Sequence, residues 1–320
     1  MSQLSALGVT DADLTPRLKF VNILPSALLL AVVISLILGG APAHAPSLHR
    51  LLDNARSYGW TGALVVSVGA LVAGLLLQPL ELASIRLLEG YVSSTGLLGP
   101  LVRVGTWVHA TRRSRLTWQR NHLKHDDPHA VTARFGLALM PHRAPVLPTA
   151  LGNRLRAAEE RAGRPYGLDS LLTWPRLYHV LPQDVLQTVA RSRNELDTAA
   201  RLSLSFALTS VMTTALLLTH PWWLLLPVAL AVLSWFAYRS AVHAATTYGD
   251  TVAAVVDVFR LKLLQEMHIA IPADTAGERA LNKKLTALWS RNDRKPLPSP
   301  VRYDAGEASP GDQAGSGGSS

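Results

Sequence analysis

LSLSFALTSVMTTALLLTHPWWLLLPVALAVLSWFAY, residues 202–238, contains no Asp, Glu, Lys or Arg. A helix crosses a hydrocarbon core of ~30 Å with ~20 residues, so the run is long enough for two crossings, 202–219 and 222–238, joined at His220-Pro221. Proline suits that junction because the N–H it lacks would be an orphan in the first turn of a helix. Trp222 and Trp223 open the second crossing, and Trp235, Phe236 and Tyr238 close it ahead of Arg239, as aromatic belts at two membrane interfaces would. A buried helix of a soluble protein seldom stays uncharged this long. Ser203, Ser205, Thr209, Ser210, Thr213 and Thr214 give the first crossing a line of hydroxyls. Interhelical packing, at ~1 kcal/mol or less per hydroxyl, is the stronger reading, and a pore lining the rival.

Two further uncharged stretches lie upstream: VNILPSALLLAVVISLILGG (21–40) and GWTGALVVSVGALVAGLLLQPL (59–80). The second has small residues at Gly69, Ala70, Ala73 and Gly74 for close packing. With 48% hydrophobic and only 17% charged residues among 320, the composition predicts a membrane protein. Ala43-His44-Ala45 has the spacing of a signal-peptidase site. The apolar run is too long for that role, however, the leader carries Asp11 and Asp13, and Pro46 would follow the cut, so the span is read as retained. Zero cysteines exclude disulfides, thiolate catalysis and cysteine-ligated metal.

The net charge of +9 is unevenly spread: 17 Lys and Arg stand against 10 acids over residues 80–201, but 9 against 9 from Gly249 onward. The loop 41–58 holds only Arg50 and Arg56. Basic loops stay on the cytoplasmic side, which predicts an inner-membrane protein with the middle of the chain and both termini in the cytoplasm. The expected fold is an all-α membrane protein, four transmembrane helices in two hairpins with cytoplasmic juxtamembrane amphipathic helices. Its expected segments are an N-terminal stretch 1–20, a first hairpin 21–80, a basic helical segment 81–201 and a second hairpin 202–239. A cytoplasmic helix 240–272, a charged segment 273–294 and a disordered Pro-, Gly- and Ser-rich tail 295–320 complete the chain.

Within the basic segment, Leu82, Ile85 and Leu88 share one face of a helix at the headgroups. Arg112, Arg113, Arg115 and Arg120 then alternate with Trp107 and Trp118, the composition of a surface that meets anionic lipid headgroups at ~1 kcal/mol per basic group. Single-stranded nucleic acid is the weaker reading of the same residues, because the basic surplus follows the topology. His122, His125 and His129 with Asp126 resemble a metal cluster, but Pro128 forces Asp127 out of helical geometry, so the imidazoles are not expected to converge. No metal or other cofactor is expected. No P-loop, H-E-x-x-H, G-x-S-x-G or dinucleotide-binding glycine pattern occurs, and the chain is read as a non-enzyme.

Residues 151–177, LGNRLRAAEERAGRPYGLDSLLTWPRL, read as part of a soluble module. Leu151, Leu155, Ala158 and Ala162 form an apolar stripe opposite Arg154, Arg156, Glu159, Glu160 and Arg161, and Gly163 ends that helix. Asp169 is placed to cap a short second helix ended by Trp174-Pro175, and Pro182 with Asp184 opens a long helix running into the third span. Arg191, Arg193 and Arg201 are expected to snorkel at the lipid boundary.

Pro148-Thr149, Leu151-Gly152-Asn153, Leu155 to Glu159, Tyr166-Gly167-Leu168-Asp169, Trp174-Pro175-Arg176-Leu177 and Leu181-Pro182, with Tyr248-Gly249-Asp250, Asp257 and Arg260, form an ordered pattern. It resembles an uncharacterised family of bacterial, actinobacterial-type multi-pass membrane proteins over roughly residues 75 to 270. The resemblance implies the membrane fold and no activity. Arg156, Glu159, Asp169, Arg176, Asp257 and Arg260 are the expected docking network, joining the middle segment to a C-terminal helix whose apolar face is Val252, Val256, Phe259, Leu263 and Met267. The expected function is a non-enzymatic membrane scaffold or sensor subunit whose partners are the lipid bilayer and a protein or a second copy of the chain. The rivals are a channel or transporter component and a membrane-interface enzyme using His122, His125 or Asp169.

Overall fold

A computed structural model describes residues 30–57, 59–60, 64, 68, 88–90, 96 and 99–290. The N-terminal stretch, most of the second span and the tail from residue 291 lie outside the described residues, as do residues 21–29 of the first span. The described chain is helical with no strand: α1 (Leu48–Ser57), α2 (Gly99–His122), α3 (Pro128–Ala138), α4 (Ala150–Arg161), α5 (Ser170–Leu177), α6 (Gln183–Leu217), α7 (Leu225–Glu266) and α8 (Thr275–Trp289). It divides into two compact units, one of Met1–Ala158 with Gln187–Thr251, the other of Glu159–Leu186 with Val252–Ser320.

Helix α6 (35 residues) and the helical stretch Pro221–Glu266 (46 residues) are long and apolar enough to cross a membrane. Only 28% of the apolar window of the first and 17% of the second is buried. A soluble core helix hides its apolar surface, whereas here Val211, Leu218, Val228, Val232 and Phe236 all stand exposed. The turn between the two helices forms as proline chemistry dictates, with a 3-10 turn starting at Pro221 and Trp223 N–H donating to the His220 carbonyl at 2.9 Å.

Residues 240–266 continue α7 without a break, so the separate helix expected from residue 240 is the same helix as the apolar stretch before it. No proline occurs between Pro227 and Pro272, and Gly249 alone costs a helix only about 1 kcal/mol. His268, in the left-handed region at φ 52°, ends the helix, and the Ile269 N–H turns back to the Leu264 carbonyl at 3.0 Å.

Side-chain hydroxyls join α6 to α7 in the first unit. Ser203 Oγ donates to the Ser234 carbonyl at 3.1 Å while Ser234 Oγ donates to the Ser203 carbonyl at 2.8 Å, and Ser210 Oγ donates to the Pro227 carbonyl at 2.8 Å. Thr209, Thr213 and Thr214 bond back to carbonyls one turn earlier in α6. Ser210→Ala is therefore expected to lower the stability of the detergent-solubilised protein by about 0.6 kcal/mol, the usual worth of such a bond between membrane helices. An unchanged denaturation midpoint would show that the hydroxyl does not hold the pair.

Residues 32–41 pack on the turn between these helices, where Leu36, Ala41 and Leu217 form a core joined by Val32, Leu224 and Leu226. Asn54 Nδ2 donates to the Leu38 carbonyl at 2.7 Å and ties α1 to the same place. Helices α2 and α3 form a helical hairpin. Asp127 is extended at φ −62°, ψ 128° and caps α3 through His129 N–H, with Pro128 at the first helical position.

In the second unit, Asp169 caps α5, accepting from Leu171 N–H at 2.9 Å and Leu172 N–H at 3.4 Å. Pro175 lies inside α5, which ends at Leu177 rather than at Trp174-Pro175. Its ring costs the helix one bond, and the next turn still closes through Tyr178 N–H to the Trp174 carbonyl at 2.9 Å. Asp274 caps α8, which packs Leu285 and Trp289 against Leu264 and Ile269.

Candidate functional site

Two polar assemblies dominate, one in each unit. In the first unit the Pro148-Thr149-x-Leu151-Gly152-Asn153 stretch is a backbone clamp. Asn153 accepts from Leu147 N–H at 2.8 Å and donates to the carbonyls of Leu147 at 2.9 Å and Thr149 at 2.8 Å. Thr149 Oγ1 accepts from Gly152 N–H at 3.1 Å, and the Tyr238 hydroxyl accepts from Ala150 N–H at 3.0 Å and Leu151 N–H at 3.3 Å. The first turn of α4 thus has two of its orphan donors satisfied by Tyr238 of α7. Gly152 carries no side chain because Glu89 packs its carbonyl against it, and Gly90, at φ 82°, lies against Pro148.

Tyr238→Phe removes that acceptor and leaves two N–H groups unpaired, so a loss of about 1 kcal/mol is expected in denaturation of the solubilised protein. A variant as stable as the parent would mean that water caps α4 equally well.

On α6, Arg193 Nε donates to Asp197 at 3.1 Å, and its guanidinium lies 5.6 Å from the centre of the Tyr248 ring on α7. Burial alone would lower the Arg193 pKa, but Asp197, Tyr248 and Glu89 together outweigh it and hold the guanidinium above its ordinary value. Arg193 is therefore an interior charge, not the snorkelling residue expected of it. Arg191 is exposed.

The four arginines expected at anionic lipid divide. Arg113 is committed to the His142 carbonyl at 2.7 Å, and Arg120 bonds its neighbour Asn121 at 3.1 Å. Arg112 and Arg115 are exposed on α2, beside exposed Leu101, Val104, Trp107, Val108 and Trp118. The histidine cluster does not converge: His122 bonds the Trp118 carbonyl and stacks on its ring at 5.0 Å, while Arg134 Nη1 donates to His125 Nε2 at 2.9 Å. Among the described residues no group of three or more His, Cys, Asp or Glu could hold a metal ion. An open groove of about 400 Å³ is lined by Val32, Leu36, Pro46, Leu48, Leu51 and Trp223 with other uncharged residues.

Arg260 and Asp257 of the expected docking network meet in the second unit, around Tyr166. Arg260 Nε donates to Glu278 Oε1 at 2.7 Å, its Nη1 bonds the Asp257 carbonyl, and its guanidinium lies 3.7 Å from the Tyr166 ring centre. Asp257 bonds the Tyr166 hydroxyl; desolvation raises that hydroxyl's pKa, with Arg260 opposing and Asp257 and Glu278 adding to the rise. Asn282 Nδ2 donates to the Tyr166 carbonyl at 3.0 Å, and Gly167, at φ 79°, approaches the Arg279 carbonyl where a Cβ would stand 2.7 Å away. Arg176 lies 4.5 Å from the Trp289 ring centre and donates to the Leu172 carbonyl at 2.6 Å. Asp169 is occupied in capping α5, and the Glu159 carbonyl accepts from Ser170 Oγ at 2.7 Å. Arg156 belongs to the first unit.

Tyr166, Glu278 and Asn282 are the members that sequence reasoning missed. The signal for Glu278 and Asn282 was present in TAGERALNKKLTALW, where Asp274 precedes a helical pattern with Leu281, Leu285 and Trp289 four apart. Compared with known protein families, characterised proteins and solved structures, the chain matches none.

Proposed function

We propose that the protein is an inner-membrane scaffold or sensor subunit, not an enzyme, with four transmembrane helices in two hairpins and a helical cytoplasmic module that meets a protein partner. One observation carries the topology. Residues 36–41 pack on the α6–α7 pair at Leu217 and Leu224, whereas the Pro148–Asn153 clamp meets α7 at Tyr238. Those points lie about 20 Å apart along the helix at 1.5 Å per residue. The contact of residues 36–41 and the Pro148–Asn153 clamp of the basic segment are thus separated along the hairpin, which supports a positive-inside arrangement. The scaffold role is supported by polar groups that satisfy one another: the hydroxyls of the third span bond carbonyls, and the charges around Tyr166 are paired. The resemblance to the multi-pass bacterial family agrees with the membrane reading and adds no activity.

The chain has no native cysteine, so single-cysteine labelling tests this directly. His44→Cys should react with a membrane-impermeant maleimide in intact spheroplasts, and His125→Cys and Ser309→Cys only after lysis. Labelling of residue 125 in intact spheroplasts would overturn the topology. For the scaffold role, affinity capture of the solubilised protein should return a reproducible partner that is lost from an Arg176→Ala, Asp169→Ala variant. An identical set of companions would count against the module.

A further inference from the structure

Gly105 of α2 lies so close to the 147–150 segment that a Cβ there would stand 2.5 Å from the Pro148 carbonyl oxygen. His109 and Arg112 follow one and two turns later on the same face of α2. Pro148 leads into the first turn of α4, whose Ala150 and Leu151 N–H groups hold the Tyr238 hydroxyl. Arg154 stands one turn further along α4, and Arg239 follows Tyr238. Three guanidiniums are thus brought to the end of the apolar part of α7 by three different elements, all within the first unit.

These groups are not neutralised in the way those around Tyr166 are. Arg154 Nη1 and His109 Nδ1 are buried with no hydrogen-bond partner among the described residues. The charges acting on Arg154 are cationic: burial first, then Arg112 and Arg239, push its pKa down. His109 is held towards its neutral form by burial and then by Arg112. Clustered cations with a buried, unfilled donor are the electrostatic shape of an anion site, and a guanidinium fork matches phosphate oxygens. Apolar surface flanks it on two elements, with Leu101, Val104 and Val108 exposed on α2 and Trp235 and Phe236 exposed on α7.

We propose that Arg112, Arg154 and Arg239 bind a phosphate group, and that its source is the headgroup of an anionic phospholipid whose chains lie against the exposed apolar residues of α2 and α7. His109 lines the site as a neutral donor or acceptor. The lipid source rests on the membrane-spanning reading above. Cysteine labelling reports that topology and lipid binding reports this site, so either can fail alone.

The purified full-length protein in detergent is titrated with phosphatidylglycerol, phosphatidylcholine or inorganic phosphate, and bound lipid is counted by native mass spectrometry alongside the melting temperature. Phosphatidylglycerol should bind and raise the melting temperature, phosphatidylcholine should do so far less, and Arg154→Gln should weaken phosphatidylglycerol by about tenfold. Arg112→Gln and Arg239→Gln alter exposed side chains, so they keep the test valid if Arg154→Gln does not fold. Arg191→Gln, also exposed, should bind as the parent does. Inorganic phosphate that stabilises the protein and displaces phosphatidylglycerol would assign the site to free phosphate and overturn the lipid source. Equal binding of phosphatidylglycerol by the parent and all three site variants would overturn the site itself.

Discussion

Gly152→Ala is expected to destabilise the protein by about 3 kcal/mol, the upper part of the range for overpacking. The added methyl would overlap the main-chain carbonyl of Glu89 and stand 3.0 Å from the Leu147 side chain. Neither side can yield easily. Asn153 and Thr149 hold residues 147–152, Tyr238 holds the start of α4, and Glu89 is itself buried. Gly90 next to it is fixed against Pro148, where a Cβ would stand 2.8 Å from a ring carbon. Thermal unfolding of the solubilised variant measures the effect, with Gly96→Ala as control because nothing lies within 4 Å of a Cβ at Gly96. If both alanine variants melt with the parent, the clamp is looser than these distances require.

Arg260→Met should cost about 3 kcal/mol, because it leaves the Glu278 carboxylate buried without its partner. The ion-pair distance is 2.7 Å, with side-chain exposures of 18% for Arg260 and 7% for Glu278, so solvent screens the pair little. Methionine keeps most of the volume over Tyr166 and isolates the charge effect. The double variant Arg260→Met, Glu278→Leu removes both charges and should recover most of the loss, since an apolar pair of similar volume is often neutral. Chemical denaturation of the full chain measures the double variant and both single ones in one cycle. Losses that simply add would show that the two charges do not interact.

The apolar stripe of α4 was legible because burial follows periodicity. Leu151, Leu155, Ala158 and Ala162 are each at most 5% exposed. Val252, Val256 and Leu263 are buried for the same reason. The caps at Asp127 and Asp169 were also legible, since a cap is a contact between residues two or three apart. The limits of α5 and α7 were harder to read, because proline and charge bias a helix locally while packing decides whether it continues. Of the expected docking residues, Asp257 and Arg260 are one helical turn apart and come together around Tyr166, but neither Tyr166 nor Glu278 was paired with them. Tyr166 and Glu278 stand more than a hundred positions apart in the chain, and no local pattern pairs them.

From its sequence alone this chain declared two uncharged helices joined by a proline turn, a helical class and an excluded cysteine chemistry, because those follow from composition and from spacing within a few residues. Tertiary structure alone decided that Gly152 must be bare, that Arg193 turns inward to Asp197 and Tyr248, and that Arg154 feels the charges of Arg112 and Arg239. Each depends on how closely separate helices approach, a matter of a few ångströms fixed by packing between residues distant in sequence.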